Sequence, residues 1–182
     1  CEIFINLRFT NQVVIFLLIF KFMKAIIRKA KLDDSGAILG LIRELAVYEK
    51  EPESVILSVE DIEKHGFGLK PLFNCLVAEF KGDVVGLALY YPRYSTWKGP
   101  TFHLEDLIVS EQFKGKGIGT QLYSTFINES YKAGVERIEW NVLDWNLPAI
   151  NFYNNSGANV LQDWKTVQMH RPAMKYFLDS LK

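Results

Sequence analysis

Three groups of residues have types and spacings that can do chemistry. The first is Lys114-Gly115-Lys116-Gly117-Ile118-Gly119-Thr120, which leaves an apolar stretch and enters a helical one. Alternating glycines permit a tight turn with bare N–H groups, and a helix N-terminus behind them adds the positive end of a dipole. Such a loop can cradle a diphosphate, with Lys114 and Lys116 adding charge. A P-loop is excluded by spacing, and a dinucleotide fingerprint would need glycine where Thr120 stands. The plain alternative is a flexible turn with solvated lysines. The second group is Glu105-Asp106, inside an apolar strand. Alternation sends the two carboxylates to opposite faces, so one must enter a pocket or the core. There its pKa rises and it can act as a general base, or it can be a paired carboxylate with a structural role. The third is Asn146 to Tyr153. Asn146 can cap a helix that Pro148 helps to open, and Tyr153 falls one to two turns in, where its hydroxyl could reach a ligand or simply pack.

These residues need a scaffold, and the hydrophobic pattern supplies one. Residues 25–31 read as a strand. Asp33 and Asp34 are N-caps for a helix whose Ile38, Leu41, Ile42, Leu45 and Ala46 recur at three and four, with Pro52 ending the segment. Ser58 and Asp61 form a capping-box variant that opens a short helix to about Lys64. Residues 73–80 and 84–91 are strands joined at Lys81-Gly82-Asp83 as a hairpin, and 102–109 extends the meander. A helix over 117–132, a strand over 136–143, a helix over 147–155 and one or two strands over 159–170 follow, and Pro172 opens a terminal helix. The pattern gives an α/β (α+β) chain with a mixed sheet flanked by helices.

Composition narrows the function classes. At 182 residues the chain suits a single domain. Twenty-one basic residues balance 21 acidic ones, which disfavours a nucleic-acid binder held by bulk charge. A hydrophobic content of 49% excludes a disordered chain. Cys1 and Cys75 make no disulfide scaffold, and His65, His103 and His170 lack metal-site spacing, so no metal is expected. Residues 1–22 are apolar, with only Glu2, Arg8 and Lys21 charged, and read as an extension ahead of a domain over 23–182. The alternative is an extra element that packs on that domain. The run Val13–Phe20 is short of the roughly 20 residues that span a bilayer, so no membrane partner is expected and a cytoplasmic setting is.

Taken together, the glycine loop, Asn146 and Asn151-Phe152-Tyr153 resemble the GNAT superfamily of N-acetyltransferases. Ile42 to Ala46, Tyr48-Glu49, Gly66-Phe67-Gly68, Cys75 to Glu79, Tyr90-Tyr91 and Leu104-Glu105-Asp106 are similar to its diamine (spermidine/spermine) acetyltransferase family. Tyr94 to Gly99 and Val142 to Asn146 are nearer the thialysine acetyltransferase branch. The resemblance implies a mostly antiparallel GNAT-like sheet, acetyl-CoA as co-substrate, a small amine as acceptor and a homodimer. It further implies that the backbone of Leu107, Ile108 and Val109 binds the pantetheine arm and that Lys114 to Thr120 bind the pyrophosphate. On the same basis Asn146, Leu147, Pro148 and Ala149 lie on the cofactor side, and Tyr153 is the general acid beside the sulfur. Glu105 is implied as base, with Tyr48, Glu49, Trp97, Glu139, Trp140 and Asn141 lining the amine site. Ser95 stands where diamine enzymes carry an acid, and the acidic segment after Gly157-Ala158 is shortened. Both changes favour a lysine-like amine over spermine. An acyl-CoA-binding module without turnover, a scaffold, and a protein or peptide amine as acceptor are the other readings.

Overall fold

The computed structural model describes residues 25–181; the apolar extension over 1–22 lies outside them. The chain divides into two compact units, one through Asn141 and one over Val142–Lys182. In the first, the described strands are β1 (Ile26–Lys29), β2 (Asn74–Phe80), β3 (Asp83–Ser95), β4 (Gly99–Val109) and β5 (Ile138–Glu139). They form one sheet in sequence order, antiparallel from β1 to β4, with β5 parallel to β4. Helices α1 (Ser35–Tyr48) and α2 (Val59–Phe67) cover one face, and α3 (Ile118–Lys132) covers the other.

Strand alternation builds both cores. Leu76, Ala78, Ala88, Tyr90 and Leu104 point to α3, where Ile118, Leu122 and Phe126 are buried. Cys75, Val77, Leu87, Leu89 and Ile108 point to α1 and α2, against Ile38, Leu39, Leu41 and Ile62. Tyr90 ties the sheet to α3 by donating its hydroxyl proton to Glu129. Gly86 lets β3, β4 and α3 approach. A Cβ there would stand 2.8 Å from the Ile108 carbonyl oxygen and 3.2 Å from Leu122 Cδ1.

The local signals act as the residue types dictate, with some differences. Lys81 and Gly82, at φ 55° and 94°, form the two-residue turn of the β2–β3 hairpin. Ser58 Oγ accepts from the Asp61 N–H at 3.2 Å while Asp61 accepts from the Ser58 N–H at 3.0 Å, closing the capping box. That helix runs through Gly66 and ends at Gly68. Asp34 stands at the N-cap of α1 but its carboxylate makes no cap bond. Instead it takes a bidentate pair from Arg28 at 2.7 and 2.9 Å, and Arg28 Nε reaches Glu79 at 2.8 Å.

In the second unit, α4 (Leu147–Asn155) has the expected bounds, and α5 (Arg171–Asp179) follows Pro172's cue. The strands expected over 159–170 are absent: these residues are almost all exposed and no described strand pairs with them. Without a neighbour to take its N–H and C=O groups, a β-prone run stays irregular. The strand expected over 136–143 shrinks to β5, because β4 pairs with it only at Phe102 and His103.

Candidate active site

The β3–β4 register decides where the carboxylates go. Tyr90 is opposite Leu104 and Leu89 is opposite Asp106, so Glu105 is an extra residue on β4, a β-bulge. The bulge corrects the alternation argument. Asp106 shares the α1 face with its partner Leu89, and Glu105 is turned to that face as well. There the Tyr91 hydroxyl donates to Glu105 Oε2 at 2.8 Å, and His103 Nε2 lies 3.7 Å from the same oxygen. Half of the Glu105 side chain remains exposed (51%).

Asp106 is the more perturbed of the two. Burial, then the charges of Glu105 and Glu49, push its carboxyl up to about 7. Burial also raises Glu49, at the C-terminal end of α1. Three carboxylates from α1 and the β4 bulge thus share one region, a place suited to a cation. Burial and the Glu105 carboxylate push Tyr91 up to about 12, so its hydroxyl stays a donor through neutral pH.

Beyond the bulge, β4 keeps its hydrogen bonds to β3, with Leu107, Ile108 and Val109 opposite Ala88, Leu87 and Gly86. On its other side no described strand pairs with it from Leu104 to Val109. That open edge can take an extended ligand by strand-like hydrogen bonds. β4 leads through Ser110 to the glycine loop and α3. Gly115 and Gly117 adopt φ of 73° and 76°, which glycine reaches without strain. Gly117 is the N-cap and makes no side-chain cap bond, so no side chain of its own satisfies the first N–H groups of α3, the kind of place where an anion can bind. Gly119 is less demanding, because a Cβ there would meet Val109 Cγ2 at an ordinary 3.7 Å. Lys114 pairs with Glu111 and sits 4.7 Å over the Tyr48 ring. Lys116 donates to the Gln112 carbonyl at 3.0 Å and lies 4.8 Å over Phe113.

The remaining expected residues divide. Trp97 is exposed in the β3–β4 turn. Glu139 faces the α1 side, but Arg93 at 3.5 Å and Arg137 at 3.2 Å offset its charge. Trp140 packs in the α3-side core, 5.8 Å from the Tyr123 ring, so the structure places it on the sheet face away from Glu105. Asn141 is exposed at the end of the first unit. Within the second unit, Asn146 Oδ1 accepts from the Ala149 N–H at 3.3 Å, capping α4, and Tyr153 is buried beside Phe152. Cys75 is buried and its thiol is pushed up to about 12, so it is not a nucleophile. Among the described residues no group of His, Cys, Asp and Glu could hold a metal ion. Sequence reasoning missed Tyr91 and His103. One signal was available for His103, which stands two residues before Glu105.

The sheet thus brings an open edge on β4, a carboxylate bulge and a glycine loop ahead of α3 onto one strand and its continuation. Residues 32–158 match the acetyltransferase (GNAT) family, and the chain belongs to that family. It is an N-acetyltransferase that acts on amines. Over 160 residues it is 40% identical to thialysine N-epsilon-acetyltransferase of Bos taurus, covering 82% of this chain and 94% of the relative. It is 34% identical over 139 residues to the spermidine/spermine N(1)-acetyltransferase-like protein 1 of Homo sapiens, covering 72% of this chain and 20% of that protein. An integron cassette protein from the mobile metagenome of V. cholerae shares the fold, with a TM-score of 0.71 at 21% identity over 86% of this chain and 98% of its own.

Proposed function

We propose that this enzyme transfers acetyl from acetyl-CoA to the primary amine of a small, lysine-like cation. The observation that carries the reading is the β4 bulge, which sets Glu105 and Asp106 on one face, within the electrostatic reach of Glu49 and next to an open strand edge. The residues present fit acetyl-CoA. The edge of Leu107 to Val109 suits an extended pantetheine arm, and the uncapped start of α3 behind Gly115 and Gly117 suits a diphosphate. When bound, acetyl-CoA supplies the acyl group as an activated thioester.

The chain's own residues supply the rest. An alkyl ammonium, with pKa about 10.4, must lose a proton before it can attack. Glu105 Oε1 accepts that proton, directly or through a water. Glu49 and Asp106 hold the cation before the transfer, with Tyr48 next to Glu49 on α1; Trp97, in the β3–β4 turn, lies too far along the ladder to join them. The Tyr153 hydroxyl gives a proton to the departing thiolate, the role implied by family resemblance. Asn146 caps the start of α4, and its cofactor-side role, too, is the one implied by family resemblance. Asp106 is the competing proton acceptor, favoured by a carboxyl that titrates near neutral pH. The preference for a lysine-like amine rests on charge. Ser95 accepts a hydrogen bond from Arg137 at 3.2 Å, and Arg93 and Arg137 take up Glu139, so that end of the sheet offers little to a second or third ammonium. A 40% identical relative bears the name of a thialysine enzyme, which agrees with this choice. The same reading carries a homodimer, which the family resemblance implies, and a cytoplasmic setting, which rests on the composition alone.

The test follows CoA release with a thiol reagent across thialysine, lysine, putrescine, spermidine and spermine. Highest kcat/KM on thialysine or lysine is expected, and Glu105→Gln should lower it at least tenfold. Preference for spermine would overturn the substrate assignment. Acetyl-CoA binding without turnover of any small amine would move the reading to a protein amine or to a binding module.

A further inference from the structure

The α1 face of the sheet carries a row of side chains that the reaction above does not use. Tyr91, His103 and Glu139 are register partners across β3, β4 and β5. The Tyr91 and His103 rings lie 5.3 Å apart at 30°. His103 is only 8% exposed, and its Nδ1 is buried with no hydrogen-bond partner among the described residues. Its Nε2 lies 3.7 Å from Glu105 Oε2, the oxygen that also accepts from the Tyr91 hydroxyl at 2.8 Å.

A neutral imidazole carries one N–H and one lone pair, and its surroundings choose the tautomer. Here a carboxylate faces Nε2 and no described residue hydrogen-bonds to Nδ1, so the proton belongs on Nε2. The Tyr91 hydroxyl then holds Oε2 of Glu105 by a hydrogen bond, and the His103 Nε2–H faces the same oxygen from 3.7 Å, longer than a hydrogen bond but close enough to shorten into one when substrate binds, which leaves Oε1 for the amine. We propose that His103 is a positioning residue. As a neutral Nε2–H imidazole packed against the Tyr91 ring, it closes on Oε2 of Glu105 from 3.7 Å when substrate binds and so turns Oε1 toward the substrate. The proposal deepens the reading above and rests on Glu105 meeting the amine.

The groups facing the ring are Glu105 on its own strand, Tyr91 and Arg93 on β3, and Glu139 on β5. Burial lowers the imidazole below its usual range against the pull of Glu105, Arg93 adds to the lowering, and Glu139 opposes it. The ring is therefore neutral at neutral pH. In acid, the imidazolium pairs with Glu105 and competes with the substrate ammonium.

Two variants and one spectroscopic measurement test this. His103→Phe keeps the bulk and the stack but removes the N–H, and should raise the amine KM about tenfold, the scale of one hydrogen bond to a charged group. KM for acetyl-CoA should not move. His103→Gln restores a donor and should recover amine KM to within about threefold of wild type. Equal amine KM in wild type and His103→Phe, or no recovery with Gln, would overturn the positioning role. Independently of turnover, an NMR titration follows the His103 ring in wild type and in Glu105→Gln. Loss of the carboxylate charge should lower the imidazole pKa, and an unchanged value would overturn the proposal even if Phe fails to fold. A Glu105→Gln enzyme with full activity, beside a shifted His103 titration, would sink the assignment of Glu105 as base and leave the coupling intact.

Discussion

Asp106→Asn should make the protein more stable in alkali and leave it nearly unchanged in acid. The carboxyl titrates at about 7 in the folded chain, against an ordinary aspartate value of 3.8. Its folded pKa is raised, so the folded state holds the proton more tightly than the unfolded state does. Stability from this group is therefore greatest near pH 4, falls as pH rises, and reaches its full deficit above pH 7. The gap between the two values, at about 1.4 kcal/mol for each tenfold change in proton affinity, corresponds to about 4 kcal/mol as an upper bound. An amide must also be buried there and can recover only part of it, so about 2 kcal/mol is expected. At pH 8.5 that is a rise in Tm of about 4–8 °C for a chain of this size. At pH 4 the variant and the parent should agree to within about 0.5 kcal/mol. Urea unfolding at both pH values, followed by tryptophan fluorescence, gives the two differences. Equal differences at the two pH values, or a less stable variant at pH 8.5, would show that the carboxyl is not held against ionisation.

Other perturbations have equally definite outcomes. Gly86→Ala places a methyl against the Ile108 carbonyl and Leu122 and should cost about 2 kcal/mol, read as a lower urea midpoint with unchanged slope. Arg28 beside Asp34 holds that carboxyl below the usual aspartate range. Its contribution is therefore present above the ordinary aspartate pKa and lost as pH falls through the lowered one. Asp34→Asn should destabilise by about 2 kcal/mol at pH 7 and by much less in strong acid, as thermal melts at the two pH values will show. Tyr153→Phe should lower kcat at least tenfold with little change in acetyl-CoA affinity by calorimetry. Unchanged turnover would remove Tyr153 as the acid.

Local signals made much of the scaffold legible. Asn146 with Pro148 fixed the start of α4, Ser58 with Asp61 that of α2, and Lys81-Gly82 the first hairpin. In each case the backbone groups are satisfied by residues within a few positions, so a short window holds the whole cause. The glycine loop was legible for the same reason. Residues 136–143 and 159–170 have strand-like composition, but pairing depends on a distant neighbour that composition does not report. The bulge lay further out of reach. Glu105 is neither glycine nor proline, and the misregister appears only when β3 is laid beside β4. Trp140 failed differently: its strand edge was foreseen, but one residue of alternation turns it into the opposite core.

The β4 bulge also separates what the sheet requires from what the chemistry requires. Leu104 already faces Tyr90 and Asp106 already faces Leu89, so Glu105 interrupts a ladder that is otherwise in step. Removing the residue altogether, rather than replacing it, would let β3 and β4 zip into an unbroken antiparallel pair without changing the face of any other side chain. The strand would become more regular and the chain would lose its proposed base in the same stroke. At this position the proposed base occupies an insertion, so the ladder of the sheet does not itself require the residue that the proposed chemistry uses.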